Sequence, residues 1–390
     1  MPNSFSFSLS TTRGLARAGS ITTPHGQIKT PIFMPVGTRA SVRSLDSLDL
    51  EQLEAQIILG NTYHLYLKPG TKIIEAAGGL HQFMRWDHPM LTDSGGYQVF
   101  SLGEQQRAKG LASTVKISEE GVIFTSHLDG SKHVMTPETS IQIQQSLGAD
   151  IIMVFDECLP DSSSDKMMND SVERTTRWAQ RCKIEWESAN KKSLYGKYQA
   201  LFGIVQGSTS LVLREKSLRS LLEIGFDGYA LGGETVGYDL TGTQHVMASI
   251  GKLLPEQAPR YAMGMGRDPQ DVIEAILMGF DMFDCVGPTR LARNGALFVG
   301  HLDTTTKTPV FISEFPKGRL AISNQRFATD HNVLQADCDC STCRGGYTRA
   351  YLHHLYNVAE LSFYRLASIH NLRVMVRLAT EMRDWIVQST

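Results

Sequence analysis

Three cysteines fall within six residues, Cys338-Asp-Cys340-Ser-Thr-Cys343. Thiols this close suit a shared metal ion better than a disulfide framework. Tetrahedral zinc needs a fourth ligand, and His353, His354 and His370 follow downstream. On a helix the adjacent pair at 353 and 354 would point apart, and spacing alone leaves the choice among the three open. Three thiolates and one imidazole leave no open coordination position, so the zinc implied here is structural, one per chain.

Three carboxylates stand in contexts that could do chemistry. Asp93 opens Asp-Ser94-Gly95-Gly96-Tyr97-Gln, where a double glycine lets backbone approach a ligand closely. Its plainer role is to cap a turn. Asp284 ends an apolar run just ahead of Arg290 and Arg293. A carboxylate can attack an anomeric carbon and form a covalent intermediate, and arginines can hold phosphates. The plainer role is an ion pair between Asp284 and one of those arginines. Asp156 closes the apolar run before Glu157 and Cys158. An acceptor-only carboxylate there suits the N–H edge of a guanine, or it caps the next helix.

The elements that would position these groups follow a simple alternation. Apolar runs at Ile32–Val36, Ile57–Gly60, Ile151–Phe155, Leu201–Val205, Gly228–Leu231, Tyr261–Met263 and Met282–Val286 read as buried strands. Helical patterns lie between them, at Ser140–Leu147, Val172–Ala189, Leu211–Ile224 and Pro269–Met278. Strand–helix alternation at this length predicts a closed (β/α)8 barrel. In such barrels the site lies at the C-terminal strand ends, where Asp156, Gln206, Gly232, Gly233, Gly264 and Asp284 fall. Alternating runs across Thr114–Met135 read as hairpins, residues 291–346 as an insertion carrying the cysteines, and Tyr347–Val387 as helical again. One barrel domain over residues 1–390 is expected, with a hairpin insertion at about 111–136 and a zinc-binding subdomain at about 296–390.

Composition sets loose bounds. The chain of 390 residues is 42% hydrophobic and 20% charged, with a formal net charge of −2. Those values fit a globular protein and exclude a histone-like basic surface, though not a local basic patch. No basic start followed by an apolar run marks a signal peptide. No apolar stretch is long enough to span a bilayer. A reduced, cytoplasmic protein is the expectation.

Seven segments, DSGGYQVFSL, FDEC, GIVQG, GYALGG, YAMGMG, DMFDCVGPTRLARNG and the cysteine cluster, occur in an order that resembles the bacterial tRNA-guanine transglycosylases, with GNTYHL near the start. The resemblance covers most of the chain and implies a (β/α)8 barrel with a zinc-bearing insertion. It implies exchange of the wobble guanine of tRNAs with GUN anticodons for a 7-deazaguanine, in queuosine biosynthesis. Asp284 matches the nucleophile on ribose C1′ and Asp93 the general acid/base. Asp156, Gln206 and the backbone of Gly233 match the groups that read the base edge, beside Ser94, Gly95, Gly96, Cys158 and Gly232. Tyr97 and Met263 match the pair that sandwiches the base. Gly264, Met265, Gly266, Arg267, Asp268, Pro269 and Gln270 match one anticodon-loop contact, and Thr289, Arg290, Leu291, Ala292 and Arg293 another. The resemblance also selects His370 as the fourth zinc ligand.

One stretch departs from that pattern. Glu234 stands where the family carries an apolar residue, and Tyr238 where it carries Glu. In the family this stretch meets the 7-substituent of the incoming base. Val236 would crowd a large substituent, which favours the aminomethyl base preQ1 over queuine. The zinc loop after Cys343 carries one extra residue. The run Arg349-Ala-Tyr351-Leu-His-His354-Leu resembles a family dimer contact and implies a homodimer. Three rival readings remain: the same chemistry on another nucleic acid, an inactive RNA-binding partner subunit, and a metal-independent barrel enzyme acting on a phosphorylated small molecule. The second would be expected to lack Asp93 or Asp284, and the third has no use for the cysteine insertion.

Overall fold

A computed structural model describes residues 4–101 and 115–388. Its central sheet is parallel, with nine strand segments in the order 32–34, 282–284, 260–262, 228–231, 200–205, 151–153, 90–92, 58–60 and 36–37. The first and last segments are one run interrupted at Pro35, so eight strands close on themselves. They are β1 (Ile32–Met34, resuming as Val36–Gly37), β2 (Ile58–Gly60), β3 (Met90–Thr92), β4 (Ile151–Met153), β5 (Ala200–Val205), β6 (Gly228–Leu231), β7 (Arg260–Ala262) and β8 (Met282–Asp284). Pro35 supplies no N–H to a ladder, and the closure is split there between β8 on one side and β2 on the other. The (β/α)8 expectation holds.

The strands are short and apolar because both faces are covered, by barrel interior and by helices. Met90–Thr92 was absent from the apolar runs read as strands, since only three residues separate Pro89 from Asp93. At the opposite end from the site, Asp150 precedes β4 and ties β3 to the N-terminal region: it accepts from Met90 N at 2.9 Å, His25 N at 3.2 Å and His25 Nδ1 at 2.8 Å. An antiparallel meander, Ser6–Arg13, Ala16–Thr23 and Gly26–Thr30, precedes the barrel. Sequence reading missed it, although Phe5, Phe7 and Leu9 alternate with serines in a strand-like period of two.

Across the stretch read as hairpins run three antiparallel strands, Lys116–Ile117, Val122–Thr125 and Lys132–Met135; residues 111–114 of that expected insertion lie outside the described residues. After β8 come the helix Gly287–Arg293 and an antiparallel pair, Ala296–Phe298 with Arg319–Ala321, between which the small hairpin of His301–Asp303 and Val310–Ile312 is inserted. The helices Arg349–Asn357 and Leu361–Val387 complete the chain. The last is a long buried helix whose Arg383 donates to Gly19 O at 2.7 Å and to Thr30 O.

Candidate active site

A cavity of about 440 Å³ opens at the C-terminal strand ends, of the size usual for small-molecule sites. Asp93, Ser94, Tyr97, Asp156, Cys158, Gln206, Gly232, Gly233, Met263, Gly264, Asp284 and Arg290 all line it. Residues from six different strand ends thus meet in one place, as barrel geometry requires.

Asp284 is the last residue of β8 and is 9% exposed. Tyr261 Oη donates to its Oδ1 at 2.6 Å and Gly264 N to the same oxygen at 2.9 Å. Both bonds end on Oδ1, and among the described residues no other residue hydrogen-bonds to Oδ2. Burial raises the pKa of Asp284, against those two bonds. Among the described residues it makes no ion pair with Arg290 or Arg293, so the plainer role for this carboxylate falls.

Asp93 follows β3. Thr62 N donates to its Oδ1 at 2.8 Å, and Asn61 Nδ2 donates to Oδ2. The carboxylate therefore sits against the N-terminus of the helix Thr62–Leu67, so a capping role and a place in the cavity coexist. Burial nevertheless pushes its pKa up to about 7, with Asp284 and Asp156 adding like-charge repulsion. A carboxyl poised there can give and take a proton near neutrality.

Asp156 does not cap the next helix, whose N-cap is Ser164. It accepts from Ser94 Oγ at 2.9 Å and from Gln206 Nε2 at 2.7 Å. Burial pushes it up to about 6. The double glycine has a steric cause at Gly96: a side-chain carbon there would lie 2.5 Å from Asp156 O and 3.0 Å from its Oδ1. Tyr97 is 44% exposed and Met263 half-buried at the mouth, so both offer flat or soft apolar surface to a planar guest.

Of the two segments matched to the anticodon loop, Arg267 and Arg290 are exposed, and Leu291 and Arg293 half-buried. Met265, Pro269, Thr289 and Ala292 are buried and anchor their segments. Asp268 pairs with Arg319, and Gln270 Oε1 accepts from Phe311 N at 2.9 Å. Arg267, Arg290 and Arg293 make no ion pair with a carboxylate among the described residues. Sequence reading missed Asn61, His64 and Tyr261, all of which line the cavity. The GNTYHL motif was the available signal for the first two. His64 is pushed down to about 4 by burial, then by Arg39, His127 and Arg43.

The metal candidate is separate from this cavity. Cys338, Cys340, Cys343 and His370 are all buried, with their donor atoms within 4.8 Å of one another. His370 Nδ1 lies 3.6, 3.6 and 3.4 Å from the three sulfurs. Its Nε2 lies 2.5 Å from Phe298 O, which fixes the proton on Nε2 and turns the Nδ1 lone pair to the thiols. Hydrogen bonds from Cys338 and Cys343 pull the Cys340 thiol well below its ordinary range. His353 is engaged by Ile322 O at 2.7 Å and Asn357 Nδ2 at 2.8 Å, and His354 is exposed. The cluster could hold a metal ion, and its donor set fits tetrahedral zinc.

The sequence profile described as "Queuine tRNA-ribosyltransferase" matches residues 11–390. A queuine tRNA-ribosyltransferase of Herpetosiphon aurantiacus is 46% identical over 386 residues, 99% of this chain and 90% of that protein. One from Fusobacterium nucleatum subsp. nucleatum is 48% identical over 375 residues, 96% of this chain and 91% of its own. One from Acinetobacter baylyi is 46% identical over 378 residues, 97% and 89% respectively. With a closed barrel, three carboxylates at its mouth and this likeness along nearly its whole length, the chain belongs to the queuine tRNA-ribosyltransferase family.

Proposed function

We propose that this chain is a tRNA-guanine transglycosylase of queuosine biosynthesis, which replaces the wobble guanine of GUN-anticodon tRNAs with a 7-deazaguanine. The observation that carries the reading is the meeting of Asp93, Asp156 and Asp284 in one cavity between Tyr97 and Met263.

In the first step Asp284 Oδ2 attacks ribose C1′, and the C1′–N9 bond breaks with its electron pair leaving on guanine. Asp93, in its acid form, protonates the departing base. The ribose is then held as an ester of Asp284. The incoming base gives its N9 proton to the Asp93 carboxylate, its nitrogen attacks C1′, and the ester bond breaks to restore Asp284. Tyr261 and Gly264 steady the carboxylate on Oδ1 throughout. Asp156 and Gln206 read the base edge, with the Gly233 backbone. Tyr97 and Met263 stack the flipped nucleotide and offset part of its unstacking. Arg267, Arg290 and Arg293 take the RNA backbone, with the other residues of 264–270 and 289–293 shaping those two contacts.

Cys338, Cys340, Cys343 and His370 would hold one zinc, which supplies local structure and no reaction step. Thiol ligands of this kind suit the reducing cytoplasm. No helix among the described residues is long and apolar enough to cross a membrane. A homodimer fits Tyr347 and Tyr351, which stack at 6.0 Å and are 36% and 46% exposed. A monomer in sedimentation at micromolar concentration would remove it.

The incoming base is preQ1 in preference to queuine, because Val236 is buried in the cavity wall and leaves little room for a cyclopentenediol. Glu234 is exposed there and its Oε2 accepts from Asp161 N at 3.2 Å. The test is incubation with tRNA and radiolabelled guanine, then kcat/KM for both deazaguanines. Label entering the RNA is expected; its absence overturns the reaction. A tenfold or greater preference for queuine, roughly a 1.4 kcal/mol difference, overturns the order of bases alone.

A further inference from the structure

Behind the base-reading wall lies a cation that the chemistry above does not use. Arg214 belongs to the helix Leu211–Ile224 that follows β5, and it is fully buried, at 0% exposure. Its Nη1 donates to Val205 O at 2.6 Å and its Nε to Ser208 O at 2.7 Å. These carbonyls flank Gln206 in sequence, one on each side. Val205 O also accepts from Gly232 N at 3.1 Å, so one carbonyl at the end of β5 holds both the guanidinium and the start of the loop after β6.

The third nitrogen, Nη2, makes no hydrogen bond within the described residues. It stands 3.1 Å from the point where a side chain at Gly233 would begin, and Gly233 has φ +110°, a conformation glycine tolerates. Gly233 is itself part of the cavity wall, so this donor stands directly behind that wall. Burial pulls the guanidinium down to about 10, so it remains a cation at neutral pH. Among the described residues this buried cation makes no ion pair, a costly arrangement unless its field has a use. The use lies next door. A base leaving with extra electron density enters a cavity lined by three carboxylates, and a cation behind Gly232 and Gly233 is of the opposite sign.

We propose that Arg214 is a positioning residue for base recognition: it locks the carbonyls on either side of Gln206, aims that amide at Asp156, and supplies the positive charge behind Gly233. The inference rests on the reading of the cavity as a base site.

Steady-state kinetics of Arg214→Gln and Arg214→Lys on the full chain, with tRNA and free guanine varied separately, tests it. Arg214→Gln should raise KM for the free base by about tenfold or more while KM for tRNA stays within about twofold. Arg214→Lys keeps the charge and one carbonyl bond, and should recover most of that loss. Arg214→Gln with wild-type base KM overturns the inference, as does a lysine variant no better than glutamine. Should Arg214→Gln fail to fold, the lysine variant decides alone: a rise confined to base KM supports the role, and equal rises in both KM values overturn it. Failure of the wild type to incorporate labelled guanine would instead sink the underlying reaction, whatever the variants do.

Discussion

At Asp284 and Asp93 the proposed division of labour rests on where each hydrogen bond lands. Asp284 has Tyr261 and Gly264 on one oxygen, so the other can form a bond to carbon. Asp284→Ala should lower exchange by at least about 10³-fold and leave tRNA affinity within a few-fold, since the arginines remain. A denaturant-stable tRNA adduct, seen with wild type, should vanish; its survival in the variant would move the nucleophile elsewhere. Asp93 carries the pH dependence. Unfolded, it titrates near 3.8; folded, near 7. Between those values the native state binds the extra proton, so this group's contribution to stability falls as pH rises from about 4 to 7. Asp93→Asn should therefore melt higher than wild type at pH 8, lose that advantage near pH 4, and be inactive at both. An equal difference at the two pH values would show that ionisation is not the cause.

Among the elements, the Cys338, Cys340, Cys343 and His370 group and the helix Leu361–Val387 form one unit. His370 sits on Leu361–Val387, and the next residue, Asn371, accepts from Phe298 N at 2.9 Å and donates to Pro288 O at 3.1 Å. Pro288 belongs to the helix that carries Arg290 and Arg293. Cys340→Ser should reduce zinc below one per chain and lower the melting temperature by about 5 °C or more. Full zinc by elemental analysis in the triple Cys338/Cys340/Cys343 serine variant would place the ligands elsewhere. Much of this level was legible in the chain: helix Leu211–Ile224 and strand Gly228–Leu231 begin and end where their apolar patterns do. The rest was not, for physical reasons. Met90–Thr92 is too short to show a period, and Arg214 looks like any polar residue on a helix until the strand carbonyls it caps are in place. Neighbouring motifs named Tyr97, Asp156 and Asp284, but the bond from Tyr261 to Asp284 spans two strands and has no signature in spacing.

For the whole molecule, the proposed RNA contacts belong to the mouth rather than to net charge, which is only −2. Arg290→Ala and Arg293→Ala should each weaken tRNA binding and reduce the slope of log affinity against log salt by about one. A change in free-base kinetics alone would remove them from the RNA surface. The long C-terminal helix sets a last condition. Its Arg383 holds Gly19 O and Thr30 O, and Trp385 O accepts from Arg13 Nη1 at 2.8 Å beneath the Arg13 guanidinium, which lies 3.9 Å from its ring. The meander strands thus wait for a helix made more than 300 residues after them. While the ribosome still covers that helix, the meander and β1 have no lid, and their apolar faces stand open to chaperones and to other nascent chains. The whole interval of synthesis between the meander and this helix, barrel included, then sets how long that surface is open to misassembly.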